Sequence, residues 1–235
     1  MHNPLTLARE AWRMVRVLQD PHRLQDIIDL ARVLAPPTAM RRVVERLMQS
    51  PTTARAFIER PRVGLLPLAR MRALPEGTLG RVFADHLAQN NLDPSALPYR
   101  EAHTDEDYVR AHMLESHDIW HVLTGFSTDV AGELGVQAFS LAQLGSPFAL
   151  GILTGGMANT LLYAFSERDA RMQALTRGWV LGRQARPVFG APWRELWEVP
   201  LVDVRQHFGL DLAAVDALLP APAPPVKTDP SRRAA

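Results

Sequence analysis

Apolar residues recur at helical spacing along most of the chain, and the runs begin where a helix N-terminus is expected. Three runs follow an N-cap residue with proline at the first helical position, at Asn3-Pro4, Asp20-Pro21 and Ser50-Pro51. Another run begins at Thr38 and continues through Met48. Strict alternation of apolar and polar residues, which would indicate strands, is scarce. The pattern therefore predicts an all-α fold.

Two further helices and a turn are predicted in the middle of the chain. Thr104 precedes three acidic residues, an arrangement that caps a helix and suits the positive end of its dipole. This helix should extend to about residue 124, where Gly125 ends it and Ser127-Thr128 cap the next helix. Upstream, residues 60–77 carry three prolines and are expected to form a connector. Thr78 is then expected to cap a helix that ends near Asn90-Asn91.

Residues 134–166 contain no charged side chain. The run is long enough to span a bilayer, but a proline, several glycines, two glutamines and an asparagine interrupt it. Three interpretations stay open: a buried core hairpin, an apolar surface that accepts lipid or faces a membrane, and a transmembrane helix. The proline-rich segment at residues 220–235 predicts a disordered tail after a single helical domain over residues 1–219.

Composition and charge exclude only a few classes of function. Cysteine is absent, so neither a disulfide nor a thiolate metal site is available. Residues 1–81 carry 14 arginines against 7 acidic residues, whereas residues 85–133 carry 10 acidic residues against 2 arginines. Two solvated helical faces of opposite charge would explain this uneven distribution. The alternative is that the acidic residues 85–133 attract a cation while the basic residues 1–81 contact an anionic membrane. Too few aromatic residues lie among the arginines to indicate nucleic-acid binding, and no signal-peptide pattern is present, so we expect an intracellular protein.

One motif carries candidate chemistry: His117-Asp118, His121 one helical turn further on, and Glu133 after eleven more residues. The i, i+4 spacing places both imidazoles on one helix face, roughly 40° apart. Along a continuous helix Glu133 would lie about 18 Å from His121, but a turn at Gly125 can return its carboxylate to the histidines. Two imidazoles with carboxylates and no thiol form a binding set for a divalent metal. The sequence therefore predicts a metal-binding helix–turn–helix hairpin.

The kind of site stays open. Zinc proteases of the His-Glu-x-x-His class need a glutamate as general base, and Asp118 is one methylene shorter. Phosphohydrolases with an adjacent His-Asp pair also need an upstream histidine and a distant aspartate. No sequence pattern assigns His86 or His103 to the first role, or Asp169 to the second. A mononuclear site of two histidines and one or two carboxylates is the third class, in which Asp118 diverges from its neighbour by about 100° and is the weaker ligand. A hairpin without metal, with Glu133 in a salt bridge, is the fourth.

The motif and its surroundings resemble the Coq-four family, the fourth coenzyme Q (ubiquinone) biosynthesis protein. The likeness spans roughly residues 20–212. Where the family has arginines shortly before the His-Asp pair, this chain has His112 and Leu114. Besides the metal motif, the likeness is carried by Arg60-Pro61-Arg62-Val63, Leu74-Pro75-Glu76-Gly77-Thr78-Leu79-Gly80, Asp107-Tyr108-Val109, Glu115, Trp193 to Leu201, Val204-Arg205 and Phe208-Gly209-Leu210.

The resemblance implies an all-helical bacterial relative that binds a divalent metal, commonly described as zinc, through His117, Asp118, His121 and Glu133. It implies oxidative loss of the carboxylate of a polyprenylated aromatic acid, with a hydroxyl in its place. Zinc is redox-inert, so that step would need iron, another redox metal or an electron-rich substrate. The implied partners are a polyprenyl quinone precursor or other isoprenoid lipid, other quinone-biosynthesis proteins and the inner face of the cell membrane; a homodimer is compatible. The alternative is a non-catalytic lipid-binding scaffold with a structural metal.

Overall fold

The computed structural model of the protein describes residues 35–94 and 101–219. The two helices predicted nearest the N-terminus and the proline-rich tail lie outside these residues, so they and the domain boundary at residue 219 stay predictions. Within the described ranges the chain is a single helical domain, and its β-structure is limited to an isolated bridge between Thr78 and Pro200. The predicted all-α class is confirmed.

Eleven α-helices and one short 3-10 helix make up the described part of the chain. In chain order they are α1 Pro37–Leu47, α2 Pro51–Glu59, α3 Leu68–Arg72, α4 Leu79–Gln89, α5 Asp105–Thr124, α6 Val130–Leu144, α7 Pro147–Tyr163, the 3-10 helix Phe165–Glu167, α8 Arg168–Gln184, α9 Trp193–Leu196, α10 Leu201–Phe208 and α11 Leu212–Leu218.

The first helices follow the apolar spacing of the sequence. The buried side chains of α1 are three and four residues apart and form one apolar face: Met40, Val43, Val44 and Leu47. Helix α2 begins at Pro51, as predicted. The connector before α4 differs from the prediction, because it contains the short helix α3. Five good helix formers follow Pro67 there, and Met71 is buried against the core.

Helix α5 has the boundaries that its capping residues predict. Thr104 and Asp107 form a capping box, in which each side chain accepts a hydrogen bond from the backbone N–H of the other residue. At the other end Gly125 adopts the left-handed conformation with φ of 73°, and its N–H donates to the carbonyl of His121. This conformation, which suits glycine best, ends α5 and lets the chain reverse into α6.

The start of α6 corrects the prediction. Asp129, rather than Ser127 or Thr128, is the N-cap, and its carboxylate accepts from the N–H of Gly132 at 2.8 Å. Thr128 instead donates its hydroxyl proton to Oδ1 of Asn90 at the end of α4, at 2.8 Å. A charged carboxylate suits the positive end of a helix better than a hydroxyl, so the cap falls on the aspartate.

Helices α6 and α8 pack at very close range in the centre of the fold. A Cβ on Gly178 of α8 would overlap the carbonyl oxygen of Gly135 on α6, and a Cβ on Gly182 would lie 2.8 Å from the carbonyl oxygen of Phe139. Small residues allow two helix backbones to approach in this way. Phe139 and Leu181 are buried at this junction. The close packing fixes α6, and with it the carboxylate in its first turn.

The uncharged run at residues 134–166 lies in two environments. Most residues of α6 are buried, whereas α7 buries one side and exposes Leu150, Leu161, Leu162 and Tyr163. In the described ranges no single helix has the length and apolar character to cross a membrane. Helix α7 and residues Phe165–Gln184 reach that length and apolar character only when they are taken together, and the chain bends by 118° between them. The core interpretation therefore fits α6, and the apolar-surface interpretation fits α7.

Replacing Gly178 by alanine should lower the free energy of unfolding by about 1–3 kcal/mol, because the new methyl group must displace the backbone of Gly135. Helix propensity alone would act in the opposite direction, by about 1 kcal/mol. Urea unfolding followed by circular dichroism measures the change. The control Thr176→Ala, at an exposed position of the same helix, should stay within about 0.5 kcal/mol of wild type. A Gly178 variant as stable as wild type would contradict the close packing.

Candidate metal centre

Two consecutive helices bring His117, His121 and Glu133 together. The histidines lie one turn apart on α5, and Glu133 lies in the first turn of α6, behind the reversal at Gly125. A negative charge is favourable at this end of α6 because the helix dipole is positive there. The predicted return of the carboxylate to the two imidazoles is confirmed.

The ligand-type atoms of the three side chains converge. The Nε2 atoms of His117 and His121 are 3.3 Å apart. Oε2 of Glu133 lies 3.3 Å from Nε2 of His117, and Oε1 lies 3.2 Å from Nε2 of His121. One atom from each residue lies within 4.8 Å of the others. Ligands about 2.0–2.2 Å from a single ion have separations of this order.

A backbone contact orients His121 for metal binding. Its Nδ1 lies 3.3 Å from the carbonyl oxygen of Phe126, and because a carbonyl only accepts, Nδ1 carries the proton. The lone pair of Nε2 is then available to an ion, as in metal sites whose histidines are oriented by a second hydrogen bond. The His121 side chain is fully buried, whereas 30% of His117 and 37% of Glu133 remain exposed. A solute therefore reaches the cluster from the side of His117 and Glu133.

Asp118 lies beside the cluster rather than in it. In the described ranges, the side chains whose ligand atoms converge here are those of His117, His121 and Glu133. Asp118 is near enough for its charge to act on His117. Neighbouring side chains on a helix diverge by about 100°, which accounts for its position. The assignment of Asp118 as a metal ligand stays a prediction.

Without a metal, the cluster is an ion pair. Burial disfavours the charged form of His117, but the charge of Glu133, its hydrogen bond and the charge of Asp118 together raise the pKa of His117 to about 9. Burial likewise opposes ionisation of Glu133, but its contacts with His117 and His121 hold the pKa of that carboxyl far below its usual range. A His117 imidazolium therefore faces a Glu133 carboxylate near pH 7. A divalent ion has to displace this proton in order to bind.

A third histidine borders the cluster. The ring of His86, on α4, is nearly parallel to that of His121, with 5.9 Å between centroids and 25° between planes. Burial first, and His121 second, lower the pKa of His86. From the sequence His86 is only a weak candidate, because it lies on a separate helix well before the motif. No local pattern indicates this contact.

Other candidate residues have structural partners. For Arg62 and Arg205 the sequence leaves a head-group contact and a structural ion pair open. Arg205 on α10 donates to the carbonyls of Val122 and Leu123 at 2.9 Å each, and so caps the last turn of α5. Arg62 pairs with Glu115 of α5. Both arginines therefore support the motif helix from outside the cluster.

His112, one of the two residues that stand where the family has arginines, is also structural. It is fully buried, and its Nε2 accepts the N–H of Gly190 at 3.0 Å. Burial lowers the pKa of His112 to about 4, so the ring is neutral at physiological pH. It connects α5 to the segment before α9.

Fold and site together define an all-helical protein in which two histidines and a glutamate from a reversed helix pair form a candidate site for one divalent cation. Residues 6–213 match the family described as coenzyme Q (ubiquinone) biosynthesis protein Coq4. The chain belongs to this family, and the match supports a role in ubiquinone biosynthesis. The resemblance inferred from the motif and its flanking segments is thereby confirmed.

Individual relatives agree with this assignment. The mitochondrial ubiquinone biosynthesis protein COQ4 of Pyricularia oryzae is 29% identical over 221 residues, which cover 89% of this chain and 71% of that protein. The mitochondrial COQ4 homolog of Danio rerio is 30% identical over 206 residues, with 84% and 73% covered. The crystal structure of a Nostoc punctiforme protein provisionally assigned to ubiquinone biosynthesis superimposes with a TM-score of 0.75 at 28% identity, over 86% of this chain and 97% of that one.

In chelator-treated protein, the imidazole of His117 should titrate with a pKa of about 9. Glu133→Gln keeps the side-chain size but removes the charge that stabilises the imidazolium, so the pKa of His117 should fall towards or below the ordinary value of about 6.5. Side-chain NMR of the histidines as a function of pH measures both values. A wild-type His117 that titrates at the ordinary value would contradict the ion pair.

Proposed function

We propose that this protein is a metal-dependent enzyme of ubiquinone biosynthesis that acts on a polyprenylated aromatic acid and removes the ring carboxylate by oxidative decarboxylation. The observation that carries the proposal is the cluster of His117, His121 and Glu133 at one end of an uncharged helical segment. A substrate of this class has an acidic ring and a long apolar tail. It therefore needs a cation at one end of its site and an apolar surface at the other.

The donor set fits a divalent cation. Two imidazole nitrogens and a carboxylate, with no thiolate, suit zinc and also iron of the two-histidine, one-carboxylate class. His117, His121 and Glu133 would bind the ion, with Asp118 as a further candidate. Such a metal would act as a Lewis acid on a bound carboxylate. The oxidative step would need molecular oxygen as the oxidant, reacting at a redox metal or directly with an electron-rich ring.

The protein's own residues would orient the ring acid and exclude water from it. The Phe126 carbonyl fixes the ring of His121, and the Asp129 cap fixes the first turn of α6, from which Glu133 extends. The side chain of His121 is fully buried. The partly exposed side, at His117 and Glu133, would admit the substrate.

Helix α7 is the candidate surface for the isoprenoid tail. Leu134, the residue after Glu133, is buried with Leu153 of α7 and packs against Gly156. Leu134 thus connects the ligand residue Glu133 to the middle of α7, which exposes Leu161 and Leu162 near its C-terminal end. This continuity supports a tail bound along α7, with the protein peripherally on the inner face of the cell membrane beside other quinone-biosynthesis proteins.

The same exposed surface favours a second candidate, a lipid-binding scaffold without catalysis, because binding an isoprenoid lipid requires no reaction. The two functions differ in metal coordination. A structural ion is closed by its protein ligands, whereas a catalytic ion keeps a position open to substrate or water. Three converging side chains, two of them partly exposed, support the open site.

Protein purified without chelators should contain about one divalent metal per chain, and His121→Ala should lose at least about 90% of it because a buried ligand is removed. Turnover of a short-chain prenylated hydroxybenzoate, followed as carbon dioxide release, should be lost with the metal. Elemental analysis and the turnover assay measure the two effects. His103→Ala, at a histidine whose side chain is 79% exposed, should keep both.

The outcomes separate the candidates. Full turnover after complete metal removal would rule out the metal-dependent enzyme. A wild-type protein that retains stoichiometric metal and binds prenyl lipid, but releases no carbon dioxide, would favour the scaffold.

A further inference from the structure

His86 has a buried ring nitrogen without a partner. Its Nε2 is shielded from solvent and has no hydrogen-bond partner in the described part of the chain. Buried polar atoms in proteins are nearly always paired, so an unpaired one calls for an explanation. The explanation depends on whether this nitrogen carries the proton.

Asn90 decides which nitrogen of His86 is protonated. Its Nδ2 donates to the backbone carbonyl of His86 at 2.8 Å and lies 3.4 Å from Nδ1 of the same histidine. Its Oδ1 accepts the hydroxyl proton of Thr128 at 2.8 Å, which fixes the orientation of the amide. Nδ1 of His86 therefore faces a donor and is the unprotonated nitrogen. In the neutral ring, Nε2 is then an N–H donor that lacks an acceptor.

His86 borders the candidate metal centre. Its ring stacks on that of His121, 5.9 Å between centroids. Its nitrogens are not among the ligand atoms that converge with those of His117, His121 and Glu133. The geometry therefore suits a donor beside the ion better than a further metal ligand.

We propose that His86 donates a hydrogen bond, through Nε2–H, to an anionic oxygen of the molecule bound at the metal centre. The proposal rests on the proposed function, in which that oxygen belongs to the carboxylate or phenolate of an aromatic acid. A neutral donor adds a directional contact to this oxygen without competing for the metal. Asn90 and Thr128 are positioning residues. Because Thr128 lies in the turn that also brings Glu133 to the histidines, one turn sets both the ligand and the donor.

The first experiment tests the tautomer in the metal-free protein. Side-chain ¹⁵N NMR of histidine-labelled protein at pH 7.5 should show His86 protonated at Nε2 and unprotonated at Nδ1, with the signal assigned by its loss in His86→Phe. Asn90→Leu should remove this preference. A His86 that is protonated at Nδ1 in the wild type would overturn the proposal.

The second experiment tests the contact with an anion. Protein loaded with cobalt(II) is titrated with 4-hydroxybenzoate, and the visible spectrum of the metal reports binding. His86→Phe keeps a ring for stacking but has no donor, so the dissociation constant for the acid should rise about tenfold or more, while that for cobalt stays within about threefold. His86→Gln, which retains an N–H donor, should restore part of the affinity. Circular dichroism checks that both variants fold.

The outcomes of the cobalt experiment distinguish the role of His86 from the proposed function. Equal affinity of wild type and His86→Phe for the acid would overturn the role of His86 and leave the proposed function intact. Loss of cobalt from His86→Phe would show that His86 is a ligand and would also overturn the proposal. A wild type that binds cobalt but no aromatic acid would contradict the proposed function, and the role of His86 with it.

Discussion

The candidate metal centre depends on one contact, between the carboxylate of Glu133 and the two imidazoles of the preceding helix. The chain makes this contact only because α5 stops at Gly125 and α6 starts five residues later, after the Asp129 cap. The reversal leaves carbonyls at the end of α5 without helical partners, and Arg205 supplies hydrogen bonds to two of them. The C-terminal helices thus stabilise a turn formed much earlier in the chain.

The electrostatics of the cluster follow from the same contact. Burial alone would leave His117 and Glu133 neutral, yet each charge stabilises the other, so the metal-free site has an imidazolium where an ion would bind. Proton and metal therefore compete for the same lone pair. The apolar helix α7 packs against Leu134, the residue next to Glu133, so neighbouring residues of α6 contact the ligand cluster and α7.

Local signals in the sequence predicted much of this arrangement. The i, i+4 histidines, the capping box at Thr104 and the glycine at 125 each act through neighbours on the same helix, and all appear as expected. The cap of α6 was predicted one to two residues too early, because Ser127, Thr128 and Asp129 are all good caps. Only the contact of Thr128 with Asn90 shows why the hydroxyl is used elsewhere.

The sequence by itself determined the helical class, the metal-type motif and the family, because helix periodicity, capping and ligand spacing are properties of residues close together in the chain. Tertiary structure alone decided that His86 stacks on His121 and that Arg205 caps the motif helix. These contacts join separate helices or depend on how one helix is rotated against its neighbours. Such rotations are set by side-chain packing in the core, as between Gly178 and Gly135, and no local pattern records them.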